Sequence, residues 1–246
     1  MIYWIWLTQI PQVGPVLSNR LLEKFKTPVE IYRADHEALQ LVKGISNRQI
    51  EGILCLKSLD KSKEILDMCN KKKISILTNQ DSRYPFKAKM LEDAPVILYY
   101  QGYFADLSYS VGIVGARRCN QEVKKAMCSD NYKSYVRQGI PVVSGMAKGI
   151  DACAATVCIN EGGYTIAVLG NGLDICYPSE HQLLMDKIRE KGLLISEHPP
   201  GTRPTRYNFP KRNRLISAWS DKEYEFGPAF HKYEQGKTDN DSREEE

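Results

Sequence analysis

Four short, almost wholly apolar runs recur at even intervals in the second half of the chain: Val111–Val114, Ile140–Val143, Thr165–Leu169 and Leu193–Ser196. Stretches of helical character separate them near 120–138, 150–161 and 179–190, and a further helix begins near Lys211. A strand that is apolar on both sides must be covered on both faces, and a strand–helix alternation joins neighbours in parallel. The pattern therefore predicts an α/β fold: a Rossmann-like parallel sheet with helices on both faces. Two earlier runs, Ile74–Leu77 and Val96–Tyr100, read as strands leading into it.

Upstream, apolar positions fall at helical spacing in Leu17, Leu21, Leu22 and Phe25, and again in Ile50, Ile53, Leu54 and Leu56. Two turns of the form apolar-x-Gly, Ile10-Pro-Gln-Val-Gly14 and Val42-Lys-Gly-Ile45, precede these segments. Such turns resemble helix-hairpin-helix units, in which a Gly permits the tight turn and the next helix offers N–H groups to a phosphate. Connecting helices in a small bundle is their more ordinary use. The expected organisation is a small all-α domain over 1–68, a Rossmann-like domain over 69–219, and an acidic, disordered tail over 220–246.

With 42% hydrophobic and 26% charged residues, the 246-residue chain has an ordinary globular balance, which excludes wholesale disorder. No apolar run approaches the roughly 20 residues of a membrane helix, and the apolar start lacks the basic flank and cleavage site of a signal peptide. Seven Cys form no C-x-x-C pair, so reduced thiols are expected, and with them a cytoplasmic location. The four His, at 36, 181, 198 and 231, stand at no metal-ligand spacing, and neither metal nor cofactor is expected.

The net charge of +4 conceals an asymmetry. Residues 1–110 carry +3, residues 111–219 carry +6 and residues 220–246 carry −5. From Pro199 to Ser220 there are five cations, Arg203, Arg206, Lys211, Arg212 and Arg214, and no acid. A basic body suits a phosphate-bearing partner.

Ligands of open α/β sheets bind outside the carboxyl ends of the strands. Four loops stand there. They are Gly115-Ala-Arg117-Arg118, Ser144-Gly145-Met-Ala-Lys148-Gly149-Ile-Asp151, Gly170-Asn-Gly172-Leu-Asp174, and Ser196–Gly201 leading to Lys211-Arg212-Asn213-Arg214. Glycines let backbone approach a ligand, helix N-termini supply donors, and the cations add full charge. Together they predict a phosphate-binding edge. No G-x-G-x-x-G follows the first strand and no G-x-x-x-x-G-K-[ST] occurs, which disfavours a dinucleotide or a P-loop site. Ser144 lacks a nucleophile elbow and is read as a cap or phosphate ligand.

These residues resemble the DNA-processing family DprA/Smf. The likeness lies in IVGARRCN at 113–120, VVSGMAKGIDACAA at 142–155, GGYTIAVLGNGLDICYPSEHQLL at 162–184 and GLLISEHPPGTRPTRYNFPKRNRLISAWS at 192–220. It extends upstream through Tyr84-Pro85 and Glu92–Gly102 to N-terminal helices similar to that family's SAM-like domain. The resemblance implies a protein that binds single-stranded DNA, protects incoming DNA and helps load the recombinase RecA during natural transformation. It also implies homodimers and no established catalysis. DNA-phosphate contacts would fall on Arg117 and Lys148, with Gly145, Gly149, Gly170 and Gly172 as loop glycines and Arg212, Asn213 and Arg214 as the family's RNR. Tyr177, Tyr207 and Phe209 are candidates for base stacking, though apolar packing is the commoner role.

Three departures accompany the likeness. Ala155 stands where the family has His, the Tyr-Gly after the first loop is replaced in Cys119–Glu122, and Ser220–Pro228 shows no apolar strand. The last leaves the sheet one strand short, with the family's dimerisation region missing. Two other readings remain. One is a nucleotide-cleaving hydrolase, for which Asp151, Asp174 and Glu197 are the candidate carboxylates; the other is an inactive remnant.

Overall fold

The computed structural model describes residues 1–105, 108–117, 129–226 and 232–234. Six helices open the chain: α1 (Ile2–Gln9), α2 (Pro15–Phe25), α3 (Pro28–Arg33), α4 (His36–Gln40), α5 (Asn47–Cys55) and α6 (Asp60–Lys71). Local chemistry sets their starts. Pro15 and Pro28 occupy first-turn positions where a missing N–H costs nothing, and the Thr27 and Asp35 side chains accept from Glu30 N and Ala38 N. Ser46 and Gln49 form a reciprocal capping box on α5. Trp6, Leu7, Leu17, Leu21, Ile31, Leu39, Ile50 and Ile53 fill the middle of this bundle.

The sheet has eight strands in the order β1-β2-β6-β5-β4-β3-β7-β8. They are β1 (Ser75–Thr78), β2 (Ile97–Gly102), β3 (Val111–Gly115), β4 (Val142–Ser144), β5 (Thr165–Leu169), β6 (Leu193–Ser196), β7 (Lys222–Phe226) and β8 (Lys232–Glu234). The five strands β6, β5, β4, β3 and β7 are mutually parallel, and the alternation predicts the first four of them. The flanks are not: β1 pairs antiparallel with β2, β2 with β6, and β7 with β8. The sheet is thus mixed rather than wholly parallel.

Strand period decides which side chain meets which layer. Along β5, Ala167 and Leu169 face the layer that holds α9 (Ile150–Asn160) and α10 (Gln182–Lys191), while Ile166 and Val168 face α11 (Asn208–Ala218). The remaining helices are α7 (Phe86–Lys89) and α8 (Asp130–Arg137). The bundle does not stand apart from the sheet. Ile5 of α1 and Ile65 and Cys69 of α6 share one apolar cluster with Ile97, Tyr99, Leu169 and Leu194.

The expectation that no strand follows Trp219 is corrected. Lys222-Glu-Tyr-Glu-Phe226 forms β7, in parallel register with β3 from Val111↔Lys222 to Gly115↔Phe226. Its period-two alternation of charge and ring hides it from a search for continuous apolar runs. The inward ring of Tyr224 is buried, and its hydroxyl meets that of Tyr135 at 2.8 Å. Residues 227–231 and 235–246, most of the expected acidic tail, lie outside the described residues, as do Arg118, Cys119 and Cys128.

Candidate nucleic-acid interface

The chain steps sideways from β3 through β4 and β5 to β6, then α11 carries it back across the sheet to β7 on the far side of β3. That reversal makes the gap between β3 and β7 a topological switch point, where the loops leaving the strand ends diverge and a crevice opens. A cleft of about 300 Å³ lies there. Its lining includes Gly115 and Arg117 after β3, Gly145, Lys148 and Asp151 after β4, Tyr177 and Phe209 on one wall, and Glu225 on β7.

Arg117 and Lys148 stand exposed at the rim. No carboxylate among the described residues forms an ion pair with Arg117. Lys148 Nζ lies 2.7 Å from Glu180 Oε1, both side chains 55% exposed. Gly149, at φ +87, opens α9, and a Cβ there would stand 2.3 Å from Ala116 O. Only Gly lets the β4 loop press against the β3 loop, and Ile150 N donates to Ala116 O at 3.3 Å across that contact. His181 Nδ1 donates to Met146 O at 3.0 Å, holding a buried residue with φ +56 in the same loop.

Arg212 is not at the rim. Helical spacing puts it on the buried stripe of α11 with Leu215, Ile216 and Trp219, and it is 4% exposed. Its Nη1 donates to Gly145 O at 2.8 Å and to the carbonyl of Val168. A Cβ on Gly145 would lie 2.1 Å from the guanidinium, so this glycine makes room for the arginine. Asp151 is 3% exposed. It accepts from Ala147 N at 3.4 Å. Burial pushes its carboxyl up to about 6, against the opposing pull of Arg212 and of the backbone groups of Ala147, Gly115 and Gly145.

The remaining expected site residues divide. Asn213 is exposed and lines the cleft beside Phe209, whose ring lies 5.3 Å from that of Tyr177. Arg214 is held by Glu197 at 2.8 Å and Asp93 at 2.6 Å, so its charge is spent inside the protein. Ser144 is buried and donates to Ile113 O at 2.7 Å, tying β4 to β3; it neither caps a helix nor faces the cleft. Gly170 packs on Phe209 and Asn208, and Gly172 on Pro199 O and Asp174, away from the cleft lining. Sequence reasoning missed Glu180 and Glu225, the two carboxylates at the rim. It also missed the burial of Arg212, although the 212, 215, 216, 219 spacing carried that signal. Among the described residues no group of His, Cys, Asp or Glu could hold a metal ion, and no helix is long and apolar enough to cross a membrane.

A Rossmann-like domain with cations at the rim of its switch-point cleft, joined to a helix-hairpin-helix bundle, defines a class of two-part α/β protein. Within that class the chain belongs to the DNA recombination-mediator protein A family, whose model matches residues 75–223; a SAM-like helix-hairpin-helix tandem matches residues 7–54. Protein Smf of Synechocystis is 35% identical over 230 residues, covering 89% of this chain and 56% of that protein. DNA processing protein DprA of Streptococcus pneumoniae is 38% identical over 138 residues, covering 56% of this chain and 48% of that one. The chain therefore spans about half the length of these curated relatives. The X-ray structure of the S. pneumoniae protein superposes with a TM-score of 0.70 at 27% identity, over 91% of this chain and 76% of that chain. A structure of DNA processing protein A from Helicobacter pylori, described for its single-stranded-DNA binding mode, superposes with a TM-score of 0.54 at 28% identity, over 62% and 68%.

Proposed function

We propose that the chain binds single-stranded DNA along the carboxyl edge of its sheet and acts as a recombination mediator. In that role it shields incoming strands and passes them to a RecA-type recombinase. The observation that carries this reading is Arg117, an exposed cation at the lip of the switch-point cleft that pairs with no carboxylate among the described residues. Lys148 shares the cleft lining with it, and Arg203, Arg206 and Lys211, exposed in the chain after β6, add to the positive charge of this half of the molecule. Cations spaced along such an edge neutralise successive phosphates whatever the base sequence, and aromatic rings supply sequence-tolerant stacking. Tyr177 and Phe209 offer such rings in the cleft, and Tyr207 carries Arg206 over its face at 4.8 Å. The single-stranded-DNA binding of the H. pylori relative supports the choice of strand.

A hydrolase has less support, because each candidate carboxylate is engaged within the protein. Asp151 faces loop amides, Glu197 holds Arg214, and Asp174 accepts from Gly201 N at 2.8 Å. The test is fluorescence anisotropy with a labelled oligothymidylate across a salt series. Affinity should fall steeply with salt and drop in Arg117→Ala; a folded sample that binds no strand, or binds independently of salt, refutes the reading. Light scattering on the same samples reads whether the family's homodimer forms.

A further inference from the structure

The glycine-rich loops after β3 and β4 have the composition of an anion nest, yet their amides already face an anion. The Asp151 carboxylate sits among the backbone groups of Ala147, Gly115 and Gly145 at the floor of the cleft. The charged and titratable groups around it come from several elements. Arg212 of α11 is the cation whose charge acts on it, while Arg117 of the β3 loop, Lys148 of the β4 loop and Glu225 of β7 line the same cleft; Lys148 pairs with Glu180, and His181 donates to Met146 O. The other charges packed on α9 pair elsewhere: Lys133 and Arg137 of α8 with Glu161, and Asp186 with Arg189 on α10.

We propose that Asp151 is the specificity-determining residue of the cleft: it fills the amide nest and repels compact dianions from the floor, leaving the rim to the spaced single charges of a phosphodiester strand. This rests on the strand-binding reading above. A phosphodiester lying across Arg117 and Lys148 keeps its distance from the floor, whereas a free phosphate or sulfate group would have to enter the nest to gain the same donors. Replacing one buried like charge by a neutral amide changes such a balance by about tenfold. Protonation does the same, so exclusion should relax as pH falls through about 6, where burial has moved this carboxyl.

Sulfate is the probe, because it keeps its double charge throughout that range. Displacement of labelled oligonucleotide by sulfate is compared with chloride at equal ionic strength. In the wild type at pH 7.5 the two salts should act alike; at pH 5.5, and in Asp151→Asn at both pH values, sulfate should displace about tenfold better. The same sulfate-to-chloride ratio in a folded Asp151→Asn and in the wild type overturns the proposal. Should that variant not fold, the wild type decides. A ratio constant from pH 5 to 8 overturns it, as does a pH dependence that Glu225→Gln or His181→Gln abolishes. Melting in sulfate separates the two failures. Where no oligonucleotide binds, the strand reading falls, yet Asp151→Asn should still gain melting temperature from sulfate over chloride, and equal melts overturn the inference.

Discussion

Arg117, in the loop after β3, and Arg212, on α11, line one cleft, and both read from sequence as phosphate ligands. One is exposed and pairs with no carboxylate among the described residues; the other is 4% exposed and donates to the carbonyls of Gly145 and Val168. Arg214 repeats the second pattern, clamped between Glu197 and Asp93. The inner arginines build the cleft, and the outer cations Arg117 and Lys148 lie at the surface, where a ligand can reach them. Positive charge in a motif thus says little until burial is known, because a buried guanidinium answers to carbonyls and carboxylates of its own fold.

Four substitutions would break or sharpen this division. The largest effect belongs to Arg212→Ala, which takes the donor from two buried carbonyls and removes the cation whose charge acts on the buried Asp151. Leaving buried carbonyls without a donor costs about 1–3 kcal/mol each, together enough to lower the melting temperature by roughly 10 °C in a chain of this size. A melt unchanged from the wild type would return Arg212 to the rim. Gly149→Ala comes next. The residue would have to keep φ +87 with its Cβ 2.3 Å from Ala116 O, a cost of about 2 kcal/mol or more by thermal unfolding, with weakened binding from a displaced Arg117 loop.

Arg117→Ala should leave the melt untouched and weaken oligonucleotide binding about tenfold. The slope of log affinity against log salt should become shallower by about 0.7, the signature of one lost contact with single-stranded phosphate. The smallest effect is Glu180→Gln. An exposed ion pair is worth about 0–1 kcal/mol, so freeing Lys148 should tighten binding by about twofold to threefold in anisotropy. Weaker binding would instead make Glu180 a positioner of Lys148.

The parallel strands were legible because burial on both faces writes them as unbroken apolar runs, of which Thr165–Leu169 is the clearest. Lys222–Phe226 was not legible. One of its faces carries charge, and only pairing with β3 makes it a strand. With β7 unseen the switch point could not be located either, so all four strand-end loops looked equivalent. In fact the loops at β3 and β4 line the cleft, while Gly170 and Gly172 serve packing. Ser144 misled for a similar reason: a hydroxyl before Gly at a strand end has the composition of a cap, and only the register shows Ile113 O within its reach. The helix starts at Pro15, Pro28 and the Ser46–Gln49 pair rest on capping chemistry that is local in sequence.

The apolar cluster that joins Ile5, Ile65 and Cys69 to Ile97 and Leu194 has a consequence for how the molecule comes apart. Helices that roof a sheet cannot leave it without wetting its back, so bundle and sheet should melt in one transition rather than two. For the same reason the bundle is no interchangeable attachment. Grafting it onto another member of the family would require recutting both sides of that seam together.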